Sequence, residues 1–269
     1  MRLTLIGHMT VRIELGGTVL LTDPWFGPHG LVERILAPRS VPPALTPDEI
    51  EHLPSGRPQA VLISHDHRDH VDGKALEMAR WLGCAVVGSR KAARRARKAG
   101  VRVALALEPG QETSVGSLTI RAVHAKHRLA SDALGFVIKT SPTEGGRSLY
   151  FSGDTRLTPA LAADLASESI DVALVQAACT HHPLFGDNGM SLPEAAELAR
   201  SVRPRWTVPL HLHCSGKWLD RPAGLRIRKD NAAQVDDALR RWAAQLEDEG
   251  LGVKLLDAGE TWTLGQISG

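Results

Sequence analysis

Short apolar runs with the alternation of strands fill the start of the chain. Residues 2–6, 11–15 and 18–22 are rich in Leu, Ile, Val and Thr, and Gly16-Gly17 supplies a two-residue hairpin turn between the last two runs. The pattern predicts a β-meander that ends at Asp23-Pro24. Residues 24–47 then carry many prolines and no period, which predicts a long surface loop of the kind that walls or caps a pocket. Residues 60–64 are a short apolar strand. Beyond it, helical periods at 73–82 and 91–99 alternate with strand-like residues 85–87.

The second half repeats that order. Residues 101–107, 118–123, 133–139 and 148–151 read as strands. After Asp154 come a helix at 159–166, a strand at 172–175, a helix at 192–201 and a strand at 206–209. Residues 231–250 form a long amphipathic helix stopped by Gly250, and 253–256 and 261–264 close the chain as strands. Each half passes from strands to alternating strand and helix. That order predicts an α/β chain with two sheets packed together and helices outside them, in four αββα layers and one domain over residues 1–269.

Composition narrows the function classes. The 269 residues suffice for a sizeable core, and 43% apolar with 23% charged residues is ordinary for a soluble globular protein. A net charge of +2 gives no global field for nucleic acid or a membrane surface. The one basic cluster, Arg90 to Lys98, reads as a solvated helix face. No apolar run reaches the roughly eighteen residues of a membrane span, and the N-terminus opens as a strand without signal-peptide regions. Cys84, Cys179 and Cys214 form no disulfide framework and no Cys-x-x-Cys pair. The expectation is a cytoplasmic protein that acts on a small molecule, with no membrane or nucleic-acid partner; the composition leaves room for a homo-oligomer.

Chemistry enters immediately after the strand at 60–64. His65-Asp66-His67-Arg68-Asp69-His70 packs four metal-ligating side chains into six residues. Alternate side chains leaving a strand point the same way, so His65 and His67 can grip one ion while Asp69 and His70 face a second. Imidazole with carboxylate suits zinc, and also iron or manganese; the lack of a nearby cysteine argues against a structural thiolate site. Four donors cannot complete two ions. Further donors stand at later strand ends: His124 or His127 after 118–123, Asp154 in Ser152-Gly153-Asp154-Thr155, and His211 or His213 after 206–209.

With these residues in view the chain resembles the metallo-β-lactamase superfamily, whose signature is His-x-His-x-Asp-His followed in order by a His, a Gly-Asp and a final His. The resemblance runs from Leu5-Ile6-Gly7-His8 to Gly259-Glu260. It is most similar to the branch of ascorbate-6-phosphate lactonase-like proteins through Ile6-Gly7-His8, Leu21-Thr22-Asp23-Pro24, Leu62-Ile63-Ser64-His65, Ser152 to Thr155 and Val208-Pro209-Leu210-His211. The resemblance implies a first divalent ion, zinc by preference, on His65, His67 and His127. It implies a second on Asp69, His70 and His211, with Asp154 between the two and Asp23 orienting a ligand histidine. His124 is expected beside the ligands or facing the core, and His8 close to the same cleft.

Two such ions lower the pKa of a shared water enough to give a hydroxide near neutral pH. Asp69 and Asp154 are the candidates to orient that nucleophile; His181, His182 and His213 are candidates for delivering a proton to the leaving group. Trp25, Phe26, Leu184, Phe185, Lys217 and Trp218 are expected pocket walls, with Lys217, Arg221, Arg226, Arg228 and Lys229 available to an anionic group. The resulting expectation is a dinuclear hydrolase of a lactone, ester or amide, with or without a phosphate group. A phosphodiesterase or nuclease, an iron-bound oxidoreductase and a non-catalytic metal protein are the alternatives.

Overall fold

The computed structural model describes residues 1–27, 42–177, 181–182, 186–187, 189–212 and 232–265. The strands of the first half are β1 (Arg2–Gly7), β2 (Thr10–Leu15), β3 (Thr18–Thr22), β4 (Ala60–Ile63), β5 (Ala85–Gly88) and β6 (Ala104–Ala106). Then follow β7 (Glu112–Val115), β8 (Leu118–His124), β9 (Leu134–Thr140), β10 (Ser148–Phe151) and β11 (Val172–Gln176). A two-residue pair, β12 (His181–His182) and β13 (Gly186–Asp187), precedes β14 (Trp206–Leu210), β15 (Gly252–Val253) and β16 (Thr261–Thr263). The helices are α1 (Pro47–Glu51), α2 (Gly73–Leu82), α3 (Arg90–Lys98), α4 (Pro159–Leu165), α5 (Leu192–Val202) and α6 (Ala232–Asp248).

Two seven-stranded sheets result, in the orders β16-β1-β2-β3-β4-β5-β6 and β15-β14-β11-β10-β9-β8-β7. Each is antiparallel where hairpins connect neighbours and parallel where helices cross over: β3 to β6 in the first, and β10, β11, β14 and β15 in the second. Central strands such as β3, β4, β10 and β11 are mostly apolar because both of their faces are buried. Ala60 and Leu62 of β4 and Phe136 and Ile138 of β9 point into the layer between the sheets. Val61 and Ile63 turn outward onto α2 and α3, and Val137 and Tyr150 turn outward onto α4, α5 and α6. Four layers, helix–sheet–sheet–helix, follow from that alternation.

Some elements differ from the pattern reading. β7 was not foreseen as a strand: only Val115 of its four residues is buried, so the edge carries no alternation for a sequence to show. α1 opens at the end of the proline-rich segment under a capping box formed by Thr46 and Glu49. The basic face of α3 is not wholly solvated. Arg95 Nη1 donates to the Asp66 carbonyl at 3.0 Å and Arg97 Nη2 to the Ala104 carbonyl at 2.8 Å. Among the described residues no helix is long and apolar enough to cross a membrane.

Strand direction places the site. β1 and β3 both pair antiparallel to β2, and β8 and β10 both pair antiparallel to β9. With the parallel strands, β1, β3 and β4 therefore end together in one sheet, and β8, β10 and β14 end together in the other. Replacing Phe136, which is fully buried between the sheets, by alanine should lower unfolding stability by about 3–5 kcal/mol. Urea denaturation followed by circular dichroism measures this.

Candidate metal centre

His65 follows β4, and the chain then curls into a turn in which His70 N and Val71 N both donate to the His67 carbonyl. Asp72 caps α2 immediately afterwards, with Oδ1 accepting from Ala75 N and Oδ2 from Phe26 N. The cap and the Arg95 bond to Asp66 hold the histidine loop from both sides. α3 also reaches the loop after β8, because Lys91 N donates to Asp132 Oδ2 at 2.8 Å.

The loop and the other strand ends bring two donor groups together. His65, His67 and His127 form one; His8, Asp69, His70 and His211 form the other, and within each group the ligand atoms lie within 4.8 Å of one another. His67 Nδ1 stands 3.2 Å from His127 Nε2. Asp154 Oδ2 is 3.3 Å from both His70 Nε2 and His211 Nε2. Asp69 Oδ2 is 3.6 Å from His8 Nε2 and 3.9 Å from His70 Nε2. Bonds of 2.0–2.1 Å to a tetrahedral zinc put neighbouring donors about 3.3 Å apart, so these separations fit a shared cation.

Two buried atoms test that fit. His65 Nε2 and Asp154 Oδ1 have no hydrogen-bond partner among the described residues, and burying a polar atom without a partner is costly. Coordination to a divalent ion would satisfy each. Burial pushes His65 well below the usual histidine range and His127 down to about 4, which leaves each imidazole neutral with a lone pair to give. Burial acts the same way on His70, but Asp154, Asp23 and Asp69 outweigh it and raise His70 well above its ordinary value. Burial drives Asp154 upward, yet His211 and His70 hold it well below the usual carboxylate range. The carboxylates at this end of the site favour positive charge beside them.

Asp23 sits under the cluster, fully buried. Its carboxylate accepts from Ser64 N at 2.7 Å, Ser64 Oγ at 2.6 Å and His70 Nδ1 at 2.7 Å. This is how an outer carboxylate orients a ligand imidazole. Backbone strain concentrates here as well. The described non-glycine residues with positive φ are His8 (53°), Asp23 (33°), His211 (65°) and Arg203 (49°), and only Arg203, the C-cap of α5, lies outside the site. Such conformations persist where the surrounding structure over-determines them. Gly153 has φ of 54°, and a Cβ there would collide with Ser64 Cβ and come within 2.9 Å of the Leu134 carbonyl.

The expected residues divide plainly. His65, His67, Asp69, His70, His127, Asp154 and His211 converge, with Asp23 behind them and His8 inside the second group. His8 is closer than the sequence suggested: its ring centroid lies 4.0 Å from that of His211. His124 is a correction. Its side chain is 51% exposed and bonds Asp164 at 2.8 Å, because its position on β8 turns it to solvent rather than to the ligands or the core. Phe26, expected in a pocket wall, is instead buried in the outer core cluster that also holds Leu21, Val71 and residues of α2. Trp25 is buried beside His8, ring centroids 6.3 Å apart. The side chains of His181 and His182, and all of His213, Lys217, Trp218, Leu184, Phe185, Arg221, Arg226, Arg228 and Lys229, lie outside the described residues. Ser64 was not singled out in the sequence; its only signal is its place immediately before His65.

A family model for the beta-lactamase superfamily domain matches residues 18–212. The chain belongs to that superfamily. Within it, a UPF0173 metal-dependent hydrolase of Opitutus terrae is 30% identical over 97% of this chain and 99% of its own. Among solved structures, the isothiocyanate hydrolase from Delia radicum gut bacteria aligns with a TM-score of 0.73 at 19% identity, covering 99% of this chain and 100% of its own. The diiron β-hydroxylase CmlA of Streptomyces venezuelae aligns with a TM-score of 0.70 at 19% identity, over 98% of this chain and 54% of its own. The two sheets and outer helices are the metallo-β-lactamase fold.

Gly153 supports the superfamily's Gly-Asp step here through space and φ together. Gly153→Ala should cost about 1–3 kcal/mol of stability and weaken metal binding by displacing Asp154. Thermal melts with and without added zinc measure both effects.

Proposed function

We propose that this metal-dependent hydrolase of the β-lactamase superfamily holds two divalent ions, zinc in the first instance, and cleaves a small-molecule lactone, carboxylic ester or amide. The observation that carries the reading is the placement of Asp154. One of its oxygens lies 3.3 Å from two histidines of the second group, and the other is buried without a hydrogen bond. His65, His67 and His127 would hold one ion, and Asp69, His70 and His211 the other, with Asp154 shared. When bound, the ions supply Lewis acidity that activates water and polarises a substrate oxygen.

The chain's own groups do the rest. Asp69 and Asp154 present carboxylate oxygens that can orient a water and accept its proton. His65 and His127, held neutral by burial, add no charge of their own, so the cations that the carboxylates would hold would offset the developing negative charge. Beside His8 and His211 opens a cavity of about 310 Å³, lined also by Leu5, Leu210, Leu212 and Leu256 and by Asp236 and Asp257. That volume suits a small molecule with an apolar part. A net charge of +2 supports a small substrate over nucleic acid, and the cysteine usage supports a cytoplasmic setting.

A second reading, an iron-bound oxidoreductase, is favoured by the fold shared with a diiron β-hydroxylase. Metal analysis of protein purified without added metal separates them: iron as the native metal moves the assignment to the second reading. For the first, a panel of lactones, esters and amides is assayed beside bis-p-nitrophenyl phosphate. Turnover of the panel with little phosphodiester cleavage is expected; the reverse would replace a carbonyl substrate by a phosphodiester. Asp154→Ala should empty both ion positions and lower kcat/KM at least a hundredfold, whereas His211→Ala should chiefly empty one. Two ions per chain retained in Asp154→Ala would remove the shared role.

A further inference from the structure

We infer that Ser64 is a positioning residue that presents His65 to the first ion, and that through Ser64 the single carboxylate of Asp23 serves a histidine of each donor group. The inference rests on the two-ion reading above and follows from counting protons. Ser64 Oγ carries one hydrogen. It lies 2.6 Å from Asp23 Oδ2 and 2.9 Å from His65 Nδ1. The hydroxyl donates to Asp23 Oδ2, so its one proton points there. The contact with His65 must then be completed by a proton on Nδ1, donated to the Ser64 oxygen. The His65 tautomer is thereby fixed, and the lone pair is left on Nε2, the buried atom without a hydrogen bond.

The other branch works the same way. His70 Nδ1 donates to Asp23 Oδ2 at 2.7 Å, which turns His70 Nε2 toward Asp154. A chain of bonds therefore runs from His65 through Ser64 to Asp23 and back out to His70. All four residues are fully buried. Ser64 cannot drift: its amide donates to Asp23 Oδ1, its carbonyl accepts from Leu134 N at 3.0 Å, and its Cβ faces the side of Gly153 where no Cβ fits. An oriented outer partner of this kind is worth about 10–100-fold in metal affinity.

The test uses Ser64→Ala, which removes one oxygen and keeps the Cβ, beside Asp23→Asn, with circular dichroism and thermal melts to establish folding. Long-range 1H–15N correlation spectra of the metal-free proteins report the His65 tautomer. Wild type is expected to show His65 protonated on Nδ1, and Ser64→Ala to lose that preference. Zinc titration against a chelator should show one of the two sites weakened 10–100-fold in Ser64→Ala and both weakened in Asp23→Asn. If His65 keeps the Nδ1–H form in Ser64→Ala, or if both zinc affinities are unchanged, the inference is overturned. Should Ser64→Ala fail to fold, Ser64→Cys replaces it, and its weak S–H donor should give an intermediate loss; no loss there overturns the inference equally. A wild-type protein that binds no zinc, manganese or iron overturns the two-ion reading instead, and the tautomer measurement still tests Ser64.

Discussion

Two imidazole nitrogens 3.2 Å apart, His67 Nδ1 and His127 Nε2, with a third histidine against them, set the constraint on which the rest of the structure depends. Two imidazole nitrogens come this close only when a proton or a cation lies between them. Five more donors converge within a few ångströms, two of them carboxylates in a pocket from which water is largely removed. Such a cluster is held together by what it binds or by scaffolding strong enough to hold it ready. This chain invests in the scaffolding: a caged Asp23, three left-handed non-glycine residues at His8, Asp23 and His211, and an α3 that fastens the histidine loop through Arg95.

The fold meets the constraint through direction. Strands whose ends carry the donors run the same way within each sheet, so loops distant in sequence leave at one edge of the sandwich. His8 follows β1, Asp23 follows β3, His65 follows β4, Asp154 follows β10 and His211 follows β14. Between the sheets, apolar side chains from both inner faces fix the spacing on which the donor separations depend. Ser64 of one sheet packs against Gly153 of the other, and only glycine allows that contact. Catalytic geometry and core packing are here one problem, because a shift of either sheet changes the gap that Asp154 spans.

Much of this was legible in the chain. The segment from His65 to His70, the Gly-Asp pair and the last histidine identified themselves by residue type and by following strands. The strands were legible because strands such as β4, β9 and β10 are buried on both faces and are therefore mostly apolar. What escaped lacked a local signal. β7 is an edge strand with one buried residue of four. Arg95 looks like its solvated neighbours until its guanidinium is seen on the Asp66 carbonyl. Residue type alone does not separate His124 from His127; the resemblance favours His127, and the structure turns His124 at the end of β8 to solvent while His127 joins the cluster. Phe26 looked like a pocket wall because it stands beside Trp25 in a proline-rich segment; packing against α2 decided otherwise.

The sequence by itself determined the donor inventory, the order of strands and helices and hence the layered architecture, since side-chain chemistry and hydrophobic period are local properties. Tertiary structure decided which donors share a cluster, that His8 stands among them, and which outer groups each histidine meets. Those depend on distances between residues tens or hundreds of positions apart. Ser64 shows the difference most clearly: a serine before a histidine says nothing until Asp23, forty-one residues earlier, is placed 2.6 Å from its oxygen.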